Sequence, residues 1–125
     1  MKNVYLCARD SFAKKTLPLL WCSLKTYYEE NSTKVDQWNW IDPWLAQTRT
    51  KEEILDFCAK NPPDIIGFSI YIWNEEFFED LAQAIKQQHP NCFIVYGGPQ
   101  PNIKYNDNFF KEKSWVDMVV PSDAY

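Results

Sequence analysis

Four cysteines, one histidine and seventeen acidic residues are the side chains of this 125-residue sequence best suited to metal or acid–base chemistry, and their spacing favours neither. Cys7, Cys22, Cys58 and Cys92 are far apart and form no C-x-x-C or similar pair, so no zinc or iron–sulfur site is expected. Three of them sit among apolar residues, where a free thiol behaves as a small core hydrophobe. His89, just before Pro90, reads as a solvated helix end rather than a metal ligand. Glu52, Glu53, Glu75, Glu76, Glu79 and Asp80 fall on helix starts or polar faces, where solvation and the helix dipole account for them. No Ser-His-Asp or Cys-His arrangement is available, no G-x-G-x-x-G follows the first apolar run, and no G-x-x-x-x-G-K-[ST] occurs. No catalytic machinery of the chain's own is expected.

What remains is binding chemistry. Gly97-Gly98-Pro99 removes side chains so that a flat or bulky ligand can approach the backbone, although a glycine pair also makes an ordinary tight turn. Ser69 could donate to a ligand or be satisfied locally. Trp73 could stack on a ring or seal a domain contact, with Tyr71 and Asn74 beside it. Arg9-Asp10-Ser11 supplies polar groups after the first apolar run.

The elements that must position these residues follow from periodicity. Asn3 to Ala8 is a short buried strand, and Leu17 to Glu30 has Leu17, Leu20, Leu24 and Tyr27 or Tyr28 at helical spacing. Lys34 to Trp40 alternates weakly, as an exposed edge strand would. Thr50-Lys51-Glu52-Glu53 has the form of a capping box opening a helix that ends before Pro62-Pro63. Asp64 to Trp73 is almost continuously apolar and β-branched, the mark of a central strand covered on both faces. Asn74 is placed to cap a helix with Phe78, Leu81 and Ile85 on its buried stripe. Cys92 to Tyr96 forms a fourth strand, Asn108 to Lys113 a short helix, and Val116 to Val120 a fifth strand.

Strands alternating with helices imply an α/β fold with right-handed crossovers: a doubly wound, flavodoxin-like or Rossmann-like parallel sheet of five strands, order 2-1-3-4-5, in three α/β/α layers. Ligands of such sheets bind outside the carboxyl ends of the strands where the order reverses. That rule nominates a rim of Arg9 to Phe12, Tyr71 to Asn74, Gly97 to Pro101 and Pro121 to Ser122.

Composition sets the outer limits. With 46% apolar and 24% charged residues, residues 1–125 are expected to fold as a single domain. A net charge of -4 with scattered cations argues against nucleic acid. No signal peptide or membrane span is apparent, which points to a cytoplasmic protein. Six tryptophans exceed what a small core buries and suggest contact surface.

The run Pro63-Asp64-Ile65-Ile66-Gly67-Phe68-Ser69-Ile70-Tyr71-Ile72-Trp73-Asn74, then an amphipathic helix, then Ile94-Val95-Tyr96-Gly97-Gly98-Pro99, resembles the amino-terminal cobalamin-binding domain of B12-type radical SAM enzymes, a family that includes anaerobic Mg-protoporphyrin IX monomethyl ester oxidative cyclases. The resemblance implies a corrinoid on the carboxyl edge of the sheet, with its nucleotide tail beside strands three and four near Ser69, Gly97 and Gly98. Mutase-type cobalamin domains carry D-x-H-x-x-G after strand one, with its histidine on cobalt. Here Arg9-Asp10-Ser11-Phe12-Ala13-Lys14 holds no histidine, so binding without a histidine ligand is expected. The family's C-x-x-x-C-x-x-C motif, which holds the [4Fe-4S] cluster that cleaves S-adenosylmethionine, is missing from these residues. The resemblance thus implies an amino-terminal fragment whose partner is the radical SAM barrel of a longer parent enzyme, of methyltransferase or cyclase type. It also implies that Trp40, Trp44 and Trp73 in particular are surface that the barrel or the corrinoid would cover. A second possibility is a degenerate flavodoxin-like module that serves protein contact through its Trp-rich edge and holds no cofactor.

Overall fold

The computed structural model describes residues 2–9, 19–32, 37–41, 48–97 and 108–120, and the side chains of 19–24 lie outside that description. Along them run β1 (Lys2–Cys7), α1 (Leu19–Asn31), β2 (Trp38–Trp40), α2 (Lys51–Lys60), β3 (Ile65–Ser69), α3 (Glu75–Gln88), β4 (Phe93–Gly97), α4 (Phe109–Glu112) and β5 (Met118–Val119). The five strands are parallel and ordered β2-β1-β3-β4-β5, the doubly wound order expected, with β2 on an edge.

Register sorts the side chains onto two faces, because paired residues of neighbouring parallel strands point the same way and successive residues alternate. Tyr5, Ile66 and Ile94 form one row, and Cys7, Phe68, Tyr96 and Val119 the next. These rows meet Ile54 and Cys58 of α2 and Phe78, Leu81 and Ile85 of α3 in one buried core. Phe68 lies 5.0 Å from Phe78 and edge-on to Tyr96 at 6.0 Å, ring to ring. Each such side chain contributes roughly 1.5–3 kcal/mol by leaving water. The opposite face carries Trp40, Val4, Ile65 and Phe93 in one row and Leu6, Gly67, Val95 and Met118 in the next. α1 covers its β2 side, with Tyr28 6.0 Å from Trp40. Towards β4 and β5 this face opens, leaving Phe93 42% and Met118 48% exposed.

Local signals explain the helices. Thr50 accepts from the Glu53 amide while Glu53 accepts from the Thr50 amide, the expected capping box. Phe78, Leu81, Ala82 and Ile85 are the buried stripe of α3. Cys7, Cys58 and Cys92 are buried and unpaired. Burial raises Cys58 to about 11 and Cys92 to about 12, and Cys7 is also driven upward. These are inert core thiols.

The structure differs from the sequence reading at several points. β3 ends at Ser69 rather than Trp73, and residues 71–74 turn over the sheet edge. β2 is confined to Trp38–Trp40 and β5 to Met118–Val119. Asn74 makes no side-chain cap bond to α3, because its carboxamide is engaged across the rim. His89 is not simply solvated: its Nε2 is buried without a hydrogen-bond partner. No helix among the described residues is long and apolar enough to cross a membrane.

Candidate functional site

The carboxyl ends of β1, β3 and β4 lie side by side at the point where the strand order reverses. Ser69 and Gly97 are register partners there, and the Ile70 amide continues the ladder by donating to the Gly97 carbonyl at 2.8 Å. On the same face and two residues earlier stands Gly67, with Leu6 and Val95 as its neighbours in register. Gly67, Ser69 and Gly97 therefore form a trough of small side chains leading to the rim. A Cβ at Gly67 would stand 3.1 Å from Leu6 Cδ2, so the trough is already closely walled.

Beside it, the β3–α3 turn is tied to the β1 loop. The Arg9 carbonyl accepts from Trp73 Nε1 and from Asn74 Nδ2, each at 3.0 Å. The second amide hydrogen of Asn74 goes to the Ser69 carbonyl at 3.1 Å, and its Oδ1 accepts from the Tyr71 amide at 2.8 Å. Asn74 is 2% exposed, a buried polar group whose two amide hydrogens and oxygen are all hydrogen-bonded. Tyr71 and Trp73 stack at 4.7 Å with 12° between the rings. Ile72 (77% exposed) and Trp73 (50% exposed) give the turn an apolar outer surface.

The Arg9 guanidinium lies 3.9 Å over the Phe77 ring and donates to the Arg49 carbonyl at 2.8 Å, joining the rim to the start of α2. Burial lowers its affinity for the proton relative to a free arginine. Phe77, Arg49, Leu6 and Gly67 were not singled out in sequence; only the Gly67 position, a glycine inside a β-branched run, carried a local signal of close approach.

Of the sequence-nominated residues, Arg9, Tyr71, Trp73 and Asn74 form one connected cluster, and Ser69 with Gly97 forms the adjoining trough. Asp10, Ser11, Gly98 and Pro99 lie outside the described residues, as do Trp44 and the rim at 121–122. Trp40 lies on β2, on the edge of the sheet. Among the described residues no three His, Cys, Asp or Glu side chains are grouped to hold a metal ion. The arrangement offers a small-residue slot, an aromatic wall and backbone carbonyls already engaged.

The family described as B12 binding domain matches residues 7–122. Two relatives are 28% identical over 108 residues: the cobalamin-dependent radical SAM methyltransferase TokK of Streptomyces tokunonensis and the 2-(S-pantetheinyl)-carbapenam-3-carboxylate methyltransferase of Streptantibioticus cattleyicolor. Each match covers 86% of this chain but only 15% of the relative's length. The fold is shared with a cobalamin-binding protein from Desulfitobacterium hafniense DCB-2, at a TM-score of 0.63 and 13% identity over 98% of this chain and 54% of that one. With nearly its whole length matched by the family and its sheet in the corresponding order, this chain belongs to the B12-binding domain family.

Proposed function

We propose that this chain is a cobalamin-binding module that holds a corrinoid at the carboxyl edge of its sheet, as the amino-terminal part of a longer radical SAM enzyme. The observation that carries this reading is the pairing of Ser69 with Gly97 on β3 and β4, beside the reversal of strand order between β1 and β3 and on one face with Gly67. A nucleotide tail needs a narrow slot between strands and a hydrogen-bonding group within it. Gly67 and Gly97 leave the space and the Ser69 hydroxyl supplies the group. The residues present thus fit the cofactor.

When bound, the corrinoid supplies a cobalt centre for methyl transfer or radical chemistry. The chain's own residues bind and orient. The stacked Tyr71–Trp73 pair offers an apolar wall for a macrocycle, and the Arg9 loop is held against that wall by hydrogen bonds to its carbonyl. Binding without a histidine from this chain is supported by position. The only histidine, His89, caps the carboxyl end of α3 just before β4 begins, at the edge of the sheet opposite the site. The [4Fe-4S] cluster and S-adenosylmethionine belong to the barrel of the parent enzyme in this reading. Methyl transfer is the reaction favoured by the two methyltransferase relatives, with a Mg-protoporphyrin IX monomethyl ester oxidative cyclase-like role as the other member of the same class.

Titration with hydroxocobalamin tests the proposal. The visible spectrum of the corrinoid should shift saturably on addition of the chain. No change at high concentration of both components would count against binding by residues 1–125.

A further inference from the structure

We propose that Asn74 is a positioning residue that fastens the β1 loop and the β3–α3 turn into one rigid rim, rather than a group that touches the ligand. The inference rests on the cobalamin reading for its consequence in binding, but its structural core stands without a ligand. The accounting of hydrogen bonds makes the case. A carboxamide has two N–H donors and one oxygen, and here both donors and the oxygen are engaged: Nδ2 with Arg9 O at 3.0 Å and Ser69 O at 3.1 Å, Oδ1 with the Tyr71 amide at 2.8 Å. A side chain so buried, with both donors committed and its oxygen already holding one bond, has no donor left to offer a cofactor.

The bonds connect parts of the chain that secondary structure leaves separate. Arg9 follows β1 and Asn74 precedes α3, 65 residues apart in sequence, and the β1–β3 register ends at Cys7 and Phe68, before either of them. The Arg9 carbonyl also receives Trp73 Nε1, so one acceptor serves two donors from adjacent residues. Trp73 is in turn stacked on Tyr71, whose amide is held by Asn74. The half-exposed indole is therefore set in place through Arg9 on one side and through Tyr71 on the other, and Asn74 anchors both. A rim ordered before binding spares a ligand the cost of ordering it.

The first arm of the test uses the whole chain without ligand. Hydrogen exchange followed by NMR should give the Tyr71 amide and the Trp73 indole N–H protection factors within about threefold of each other, falling together with urea, because they open as one unit. Trp73→Phe assigns the indole signal. Protection differing by about a hundredfold overturns the proposal, and this arm needs no Asn74 variant to fold. The second arm uses Asn74→Asp, which keeps the shape and replaces two donors with an acceptor. In the folded variant the Trp73 indole should exchange at least about tenfold faster, and hydroxocobalamin should bind about tenfold more weakly with an unchanged spectrum at saturation. Unchanged exchange or unchanged affinity overturns the positioning role, and an altered saturated spectrum overturns it in favour of direct contact. Should the wild-type chain bind no hydroxocobalamin, the cobalamin reading fails alone, and the two exchange measurements still decide the coupling.

Discussion

Ser69 and Gly97 face each other in register at the carboxyl ends of β3 and β4, and the amide after Ser69 donates to the Gly97 carbonyl at 2.8 Å. Backbone and small side chains thus meet next to the β1–β3 reversal of strand order, and the Ser69 hydroxyl is the polar side-chain group on that strip. Ser69→Ala removes the hydroxyl and adds no bulk to the trough. Stability in urea is expected to stay within about 0.5 kcal/mol of wild type, while affinity for hydroxocobalamin drops about tenfold. Equal affinities for the two proteins would remove Ser69 from the site.

How much of this was legible in sequence depends on how local each cause is. The Thr50–Glu53 capping box spans four residues, and the α3 stripe repeats every three or four, so both could be read directly. Alternation of strands and helices made the sheet parallel with right-handed crossovers, and the order 2-1-3-4-5 is the common one for such sheets. The end of β3 did not, because Ile70, Tyr71, Ile72 and Trp73 all favour strand. The chain turns there since the Asn74 carboxamide finds its partners on Arg9 and Ser69 across the rim rather than on the helix it precedes. Asn74 carried the correct local signal for a cap, and a long-range bond outcompeted it. The same limit hid Arg49 and Phe77, whose roles arise only when Arg9 reaches them.

Gly67 tests the closeness of the trough walls. A methyl group there would lie 3.1 Å from Leu6 Cδ2, tighter than ordinary contact, so Leu6 must shift by a few tenths of an ångström. Leu6 is only partly buried and has some room to move. Gly67→Ala is therefore expected to cost about 1 kcal/mol in urea denaturation, at the low end of overpacking, and Gly67→Val distinctly more. A stabilised Gly67→Ala protein would show that the strand gains more from losing glycine's flexibility than the contact costs.

The buried thiols and phenols set a direction for pH dependence. Burial raises Cys58 from 9.0 to about 11, Cys92 from 9.0 to about 12 and Tyr96 from 10.0 to about 12, the last opposed by the Trp115 indole that donates to its oxygen at 2.8 Å. In each case the folded state keeps its proton where the unfolded chain has lost it. Stability is then fully present below about pH 9 and declines as pH rises from about 9 towards 12. Urea midpoints at pH 8 and pH 10.5 should show the fall. Cys58→Ala combined with Cys92→Ala should flatten the pH dependence even though the cavities lower stability at every pH. In the same window a thiol reagent should label Cys58 and Cys92 only as fast as the chain opens.

Asp117 holds the outermost strand in place. Its Oδ2 accepts from the Ile94 amide at 2.9 Å and from Lys86 Nζ at 2.7 Å, and Lys86 also donates to the Cys92 carbonyl at 2.7 Å. One carboxylate therefore ties β5 both to β4 and to the last turn of α3. β5 itself pairs over only two residues, with the Asp117 and Val120 amides bonded to the Ile94 and Tyr96 carbonyls, and the Asp117 carboxylate adds to that attachment. Lys86 and Asp117 are 25% and 30% exposed, which leaves solvent to weaken their Coulomb attraction; the bond to a buried-strand amide is the larger part. Asp117→Ala is expected to cost about 1.5–3 kcal/mol, and Lys86→Met less. A double-mutant cycle should return a coupling of about 0.5–1 kcal/mol, and hydrogen exchange at the Val120 amide, which bonds the Tyr96 carbonyl, should accelerate in Asp117→Ala before the rest of the sheet opens. Global and local exchange rising together would instead show that β5 unfolds only with the core.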